Sequence, residues 1–462
     1  MASPFLTELP YHPDSARLFE AIADLPWAVF LDSGRHYPAQ SRYDILSAQP
    51  YVRLVTRGAL TEIYGDAIEL SREDPFSLVR RVLAPDPSCG GELPFCGGAI
   101  GYFGYDLARR LERLPAIAED AERIPEMAIG IYDWAVVVDH LERRSWLVGQ
   151  GRDSDTDLKW SRLVATFSEP PAEKQRAPFR ILSPVASNLT HDDYARAFRK
   201  IRGYIHDGDC YQVNLAQRFS AAAGGDPWLA YQRLRIINPA PFSVYFNTPY
   251  AQILSASPER FLKVAGGRVE SKPIKGTRPR AGHARLDAEL IEALRASGKD
   301  RAENLMIVDL LRNDLSKNCA LGSVRVPKLF EVESYATVHH LVSTVTGELR
   351  EGRDALDLLR GCFPGGSITG APKLRAMQIV EELEPHRRGI YCGAIGYIGF
   401  DGGMDANIAI RTLVHSHGVV RCWAGGGIVA DSRLEEEYQE TFDKAAAMLR
   451  LLQQSAEGQR EA

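Results

Sequence analysis

The chain has 462 residues, 45% hydrophobic and 25% charged, with a formal net charge of −5. That length supports a large core and more than one cooperative unit, and the composition is that of a soluble globular protein. The charge gives no electrostatic case for nucleic acid or an anionic membrane. No apolar run approaches the roughly 20 residues a membrane helix needs, and the first residues lack a basic stretch followed by an apolar one. Seven cysteines, odd in number and without a C-x-x-C pair, fit reduced thiols in a cytoplasmic setting. The nearest pair, Cys89 and Cys96, lies in a Gly/Pro-rich loop, weak ground for a metal or a disulfide.

Residues 1 to about 165 alternate short strands with turns. The stretches 27–33, 51–55 and 134–138 read as strands. Residues 74–83 form a helix, with Asp74 as cap and Pro75 at its first position. The stretch 167–189 carries four prolines with Ser, Glu and Lys and no periodicity, so it reads as a linker. The expected organisation is an N-terminal region (1–166), the linker (167–189), a second region (190–452) and a tail (453–462).

One internal echo links these regions: Gly98 to Asp106 returns as Gly393 to Asp401. The glycine spacing invites comparison with a dinucleotide fingerprint, but the initial Gly-x-Gly is missing in both copies. Two glycine-containing strands in equivalent, closely packed sheet positions are the better reading. Gly366 to Lys373 is no phosphate-binding loop either, because its spacing is wrong and Pro372 precedes the lysine.

After the linker, Thr190 caps a helix with Asp193 in the capping-box position. Tyr194, Ala197, Phe198, Ile201 and Ile205 share its apolar face. Gly208 stops it, and a strand runs over 211–219. Helices follow over about 284–297 and 299–313. The last long helix starts after Asp431, with Ser432 and Glu435 as a capping box, and runs to about Gln453. Glu437, Glu440 and Lys444 fall at i, i+3 and i+7, on one helix face. A solvated acidic face is the plain alternative to a functional one.

The stretch 257–280 carries the chemistry. Its strands at 262–264 and 268–270 flank Gly266-Gly267 as a two-residue turn. The ends of such a hairpin lie close, so Glu259 and Lys275 can face one pocket. Pro273 stiffens the approach, and Gly276 lets backbone come near a ligand. An acid and an amine converging there suit acid-assisted nucleophilic substitution. A surface hairpin with both groups solvated is the alternative.

Ser257 to Phe261 and Pro273 to Arg280 resemble the chorismate-utilising enzymes, the family of component I of anthranilate and aminodeoxychorismate synthases. So do Gly208 to Leu215, Ala302 to Leu310, Arg312 to Leu315, Gly370 to Lys373, Tyr391 to Tyr397, Ala409 to Thr412 and Gly425 to Val429. The ordered set spans about 190–450 and is specific where any single motif is weak. It implies an α/β (α+β) body, two antiparallel sheets packed as a sandwich with helices outside. The sequence pattern alone supports only mixed α/β.

The resemblance also implies amination of chorismate at C4 to 4-amino-4-deoxychorismate, the step leading to 4-aminobenzoate and folate. Lys275 and Glu259 would be catalytic. Mg²⁺ would be held by Glu303 and Glu440, with Glu437 and Asp300 as neighbours. Arg411 would grip the enolpyruvyl carboxylate, and Tyr391, Gly276, Thr277, Gly425, Gly426 and Gly427 would add donors. His340 would lie near the leaving group, with Thr369, Lys373 and Lys444 as further binding residues. Gln212 stands where water-activating relatives carry lysine, which argues for ammonia as nucleophile. Lys275 stands where anthranilate synthases carry alanine, which argues against amination at C2. Free lysine is neutral in about one molecule in a few thousand at pH 7. A nucleophilic Lys275 therefore requires burial or a nearby cation. With no Gly-x-Cys-x-Gly elbow in the sequence, ammonia would come from a separate glutamine amidotransferase. Phe30 to Ser33 resembles the stretch where anthranilate synthases bind tryptophan, with Asp32 in place of glutamate. A bound tryptophan is the further ligand this suggests. The rival readings are anthranilate synthase component I and a catalytically silent chorismate-binding partner.

Overall fold

Several central strands are buried at every position, Met127–Tyr132 and Trp134–Asp139 among them, as befits strands covered on both faces. The computed structural model describes residues 5–34, 42–86, 91–169, 171–172, 174–335 and 338–457. Cys89 and the tail beyond residue 457 lie outside the described residues. The strands form two antiparallel sheets, of 13 and 12 strands. Side chains of both meet in one apolar layer: Val29, Val137, Phe246 and Ile253 from the first, Ile100, Tyr102, Ala128 and Ile395 from the second. Helices lie outside. Leu434–Glu457 packs on the strand Val419–Ile428, and Gly298–Ser316 packs on Val338–Glu348.

The N-terminal and second regions share both sheets. Ala28–Asp32 pairs with Phe242–Asn247 in the first, and Gly98–Phe103 pairs with Ala394–Gly399 in the second. The echoed motif thus pairs with itself, Gly101 opposite Gly396. A Cβ on Gly101 would come 2.1 Å from the Ala128 carbonyl oxygen, so the repeated glycine permits the close approach. The expected linker is not free. The helix Ser154–Ser168 takes its start, and Arg180–Ile181 and Ala186–Ser187 pair with the strand Gln212–Gly224. Arg176 is fastened to Glu20, Asp24 and Asp226 at 2.6 Å each.

Local sequence signals mostly hold. Asp74 caps Pro75–Leu83, and Thr190 and Asp193 form the reciprocal box that opens His191–His206, worth about 1 kcal/mol by the usual cost of losing such a cap. Gly266 and Gly267 both take positive φ, 55° and 77°, as a two-residue hairpin turn requires. The last helix departs from expectation. The Ser432 hydroxyl donates to Glu437 at 2.7 Å instead of joining a box with Glu435, which pairs with His191.

Candidate active site

The strands Arg268–Ser271 and Ile274–Pro279 continue one another along Val338–Glu348. Ile274 faces Val342 but Thr277 faces His340, so the strand Ile274–Pro279 carries an extra residue at Lys275–Gly276. Such a bulge re-aims a side chain. Gly276 has φ 79°, and a Cβ there would meet Asp300 Cγ at 2.8 Å, so glycine is required twice over. The bulge turns Lys275 into a cavity of about 820 Å³, which Glu259 also lines.

Glu259 follows the strand Gln252–Ser257, where Pro258 ends regular pairing. The Ser257 hydroxyl donates to the Ile408 carbonyl at 2.6 Å and accepts the Glu259 N–H, fixing the acid's backbone. Burial pushes the Glu259 carboxyl up to about 7, against the pull of the Ser367 hydroxyl and Lys275. Lys275 Nζ donates to the Ser367 carbonyl at 3.4 Å. Burial lowers its pKa; Glu303 opposes that shift and Lys444 assists it. Both shifts have the sign that substitution chemistry needs, an acid retained near neutrality and an amine more easily neutral.

The opposite wall is cationic and donor-rich. Arg411 is half-buried with φ 53°, its guanidinium donating to the Lys444 carbonyl. Burial lowers its pKa to about 10, still charged at neutral pH. Tyr391 stacks on Trp423 with ring centroids 5.9 Å apart. Pairing of Val419–Ile428 with Thr412–Ser416 stops at Cys422, leaving one backbone edge of 423–425 to the cavity. There the Gly425 carbonyl accepts from Lys444 Nζ at 2.9 Å. Thr277 Oγ1 lies 2.9 Å from His340 Nδ1. Burial, helped by Arg411, takes His340 down to about 4, so this imidazole is neutral at neutral pH.

Glu303 and Glu440 line the same cavity. Burial raises the Glu303 pKa, and Glu437 and Glu440 push the same way as like charges. Glu440 is paired with Lys444. Glu437 is buried behind them, bonded to Ser432 and 3.4 Å from Lys299 Nζ. Asp300 is taken by Arg278 at 3.0 Å. A Cβ on Gly426 would stand 3.0 Å from Glu437 Oε2 and 3.5 Å from Glu440 Oε1, so this glycine keeps space open over the pair. As placed, no group of three or more His, Cys, Asp or Glu among the described residues could hold a metal ion.

Five expected binding residues lie off the cavity lining. Gly426 sits over the acids, and Gly427 covers Gln212, whose buried amide has no protein partner. Thr369 donates to the Gly365 carbonyl at 3.0 Å. Lys373 is spent on Asp314 at 2.6 Å and the Cys362 carbonyl at 2.8 Å. Ser367, Lys299 and Trp423 were missed. Their sequence signals are weak: Ser367 lies in the Gly366–Lys373 stretch whose spacing is wrong for a phosphate loop, Lys299 precedes Asp300, and Trp423 lies two residues before the glycine triplet. Leu31, Asp32 and Ser33 line a different cavity, of about 1240 Å³, with Phe242 and Met404. The Asp32 carboxylate is bonded to Tyr231 at 3.1 Å and Arg235 at 2.7 Å, neither of which lines that cavity.

A family profile described as chorismate binding enzyme matches residues 37–450. Aminodeoxychorismate synthase component 1 of Klebsiella aerogenes is 48% identical over 462 aligned residues, covering 98% of this chain and all of that protein. Anthranilate synthase component 1 of Thermus thermophilus is 39% identical, with 91% of each covered. Among solved structures, anthranilate synthase component I from Streptococcus pneumoniae superposes with a TM-score of 0.80 at 33% identity, covering 88% of this chain and 92% of that one.

Proposed function

The chain belongs to the chorismate binding enzymes, and we propose that it aminates chorismate at C4, giving 4-amino-4-deoxychorismate with the enolpyruvyl group retained. The observation that carries this reading is Lys275 on its bulge, half-buried beside the protonatable, buried Glu259 in a cavity with a cationic wall. Lys275, as the free amine, attacks ring carbon C2 while Glu259 delivers its proton to the departing C4 hydroxyl, which leaves as water. Ammonia then attacks C4, the bond from C2 to Lys275 breaks, and the Glu259 carboxylate accepts a proton from the incoming nitrogen. Ser367, bonded to both groups, holds the acid and the amine in register.

Arg411 and the backbone edge at Gly425 suit the substrate carboxylates on the far side. Magnesium fits the acidic side. Glu303 and Glu440 are hard oxygen donors, Gly426 keeps space beside Glu440, and Mg²⁺ takes one or two carboxylates and leaves positions for substrate and water. Bound there, it would neutralise a substrate carboxylate. Ammonia is supplied in this reading by a glutamine amidotransferase partner. Tryptophan would occupy the cavity lined by Leu31 and Ser33, without gripping Asp32, which Arg235 already holds; a rise in melting temperature with added tryptophan tests that.

Product analysis tests the activity. The isolated chain, given chorismate, Mg²⁺ and ammonium chloride, should form a product that retains the enolpyruvyl group and yields 4-aminobenzoate with an added lyase. Anthranilate plus pyruvate would assign it to amination at C2 instead.

A further inference from the structure

Behind Trp423 lies a polar cluster that the chemistry above does not use. Glu122, only 3% exposed, is held on a segment whose Ile117 and Ala118 N–H groups donate to Glu381 at 2.8 and 3.0 Å. Its Oε2 has no protein partner, nor do Arg218 Nε and Nη1, all buried. Arg218 and Arg421 act on the Glu122 carboxylate through their charge, and the indole through its N–H, yet no ion pair closes among the described residues. Buried polar groups are rarely left unmatched. Polar groups that face one another across more than hydrogen-bond distance mark the place of a small bridging molecule.

The cluster has two ends. Outward, Arg218 senses Glu119, which is 71% exposed and lies 3.8 Å from His386. Inward, Trp423 is itself part of the cavity wall. Two guanidiniums against one carboxylate repel a cation, all the more because burial raises the Glu122 pKa to about 7. The fitting guest is therefore neutral, able to accept from guanidinium and indole N–H groups and to donate to a carboxylate.

We infer that Glu122, Arg218 and Trp423 form a binding site for neutral ammonia at the back of the substrate cavity, filled from the surface at Glu119 and His386. This rests on the amination reading above. Water shares the same hydrogen-bonding chemistry, so the test must separate the two.

Steady-state kinetics of the isolated chain, with ammonium chloride varied against chorismate, do so. Glu122→Leu and Arg218→Met should each lower kcat/KM for ammonia about tenfold while KM for chorismate stays within about twofold. Glu122→Gln, which keeps the shape and an acceptor, should retain most of the wild-type value. Parallel losses towards both substrates would make the cluster merely structural and overturn the proposal. No change towards either would leave only bound water there and overturn it equally. If the wild-type chain makes no aminated product, the amination reading falls and takes this proposal with it; the other outcomes overturn this proposal alone.

Discussion

Two lysines, both expected to serve the substrate, ended in opposite surroundings. Lys275 sits on a bulge, half-buried, with one long hydrogen bond to a carbonyl. Lys373 opens the helix Lys373–Leu383 and is locked to buried Asp314 at 2.6 Å. The lesson is that burial alone does not make an amine reactive. Among the described residues Lys275 makes no ion pair with the carboxylates around it, and desolvation lowers its pKa against their pull; Lys373 is closed into an ion pair with Asp314 and is structural.

Breaking the first environment should have the largest effect. Lys275→Ala should cut chorismate amination at least about a thousandfold, read as product formed with ammonium chloride. Glu259→Gln should cost about a hundredfold by removing the acid. The pH profile sharpens this. Glu259 must be protonated to assist departure of the C4 hydroxyl, so with its pKa near 7 the burst of covalent adduct without ammonia should decline as pH rises through about 7. Lys275 must be neutral, so its limb rises with pH instead, and the glutamine variant should keep only that rising limb.

Breaking the second environment should tell in stability. Lys373→Met leaves Asp314 with Lys317 alone at 2.9 Å and should cost about 3 kcal/mol, seen in denaturant unfolding. Lost turnover in folded K373M protein would return this lysine to the active site. The smallest effect should come from Gly276→Ala. An L residue at φ 79° is strained by about 1–2 kcal/mol, and its Cβ would push Asp300 aside. The readout is a modest loss in melting temperature together with a lower kcat, since Lys275 is its neighbour.

Much of this was legible in the sequence because the signals were local. The Asp193 box, the Gly-Gly turn and the cap at Asp74 each depend on residues within a few positions, and each formed. The ordered motifs brought Glu259, Lys275, Glu303, Arg411 and Glu440 to one cavity. What stayed hidden depends on partners distant in sequence. A bulge leaves no mark on hydrophobic periodicity. The pairing of Lys373 with Asp314, and of Ser432 with Glu437 in place of a capping box, is decided by packing. The linker misled because proline-rich composition does not exclude anchoring by one arginine among three carboxylates.

The claim on which the rest depends is that Lys275 becomes covalently attached to the substrate ring. The measurement is the intact mass, followed by peptide mapping, of the chain quenched after mixing with chorismate and Mg²⁺ in the absence of ammonia. The account predicts an adduct on the peptide bearing Lys275, absent from Lys275→Ala and discharged when ammonium chloride is added before the quench. Amination at the full rate with no adduct, or an adduct that survives in Lys275→Ala, would contradict it.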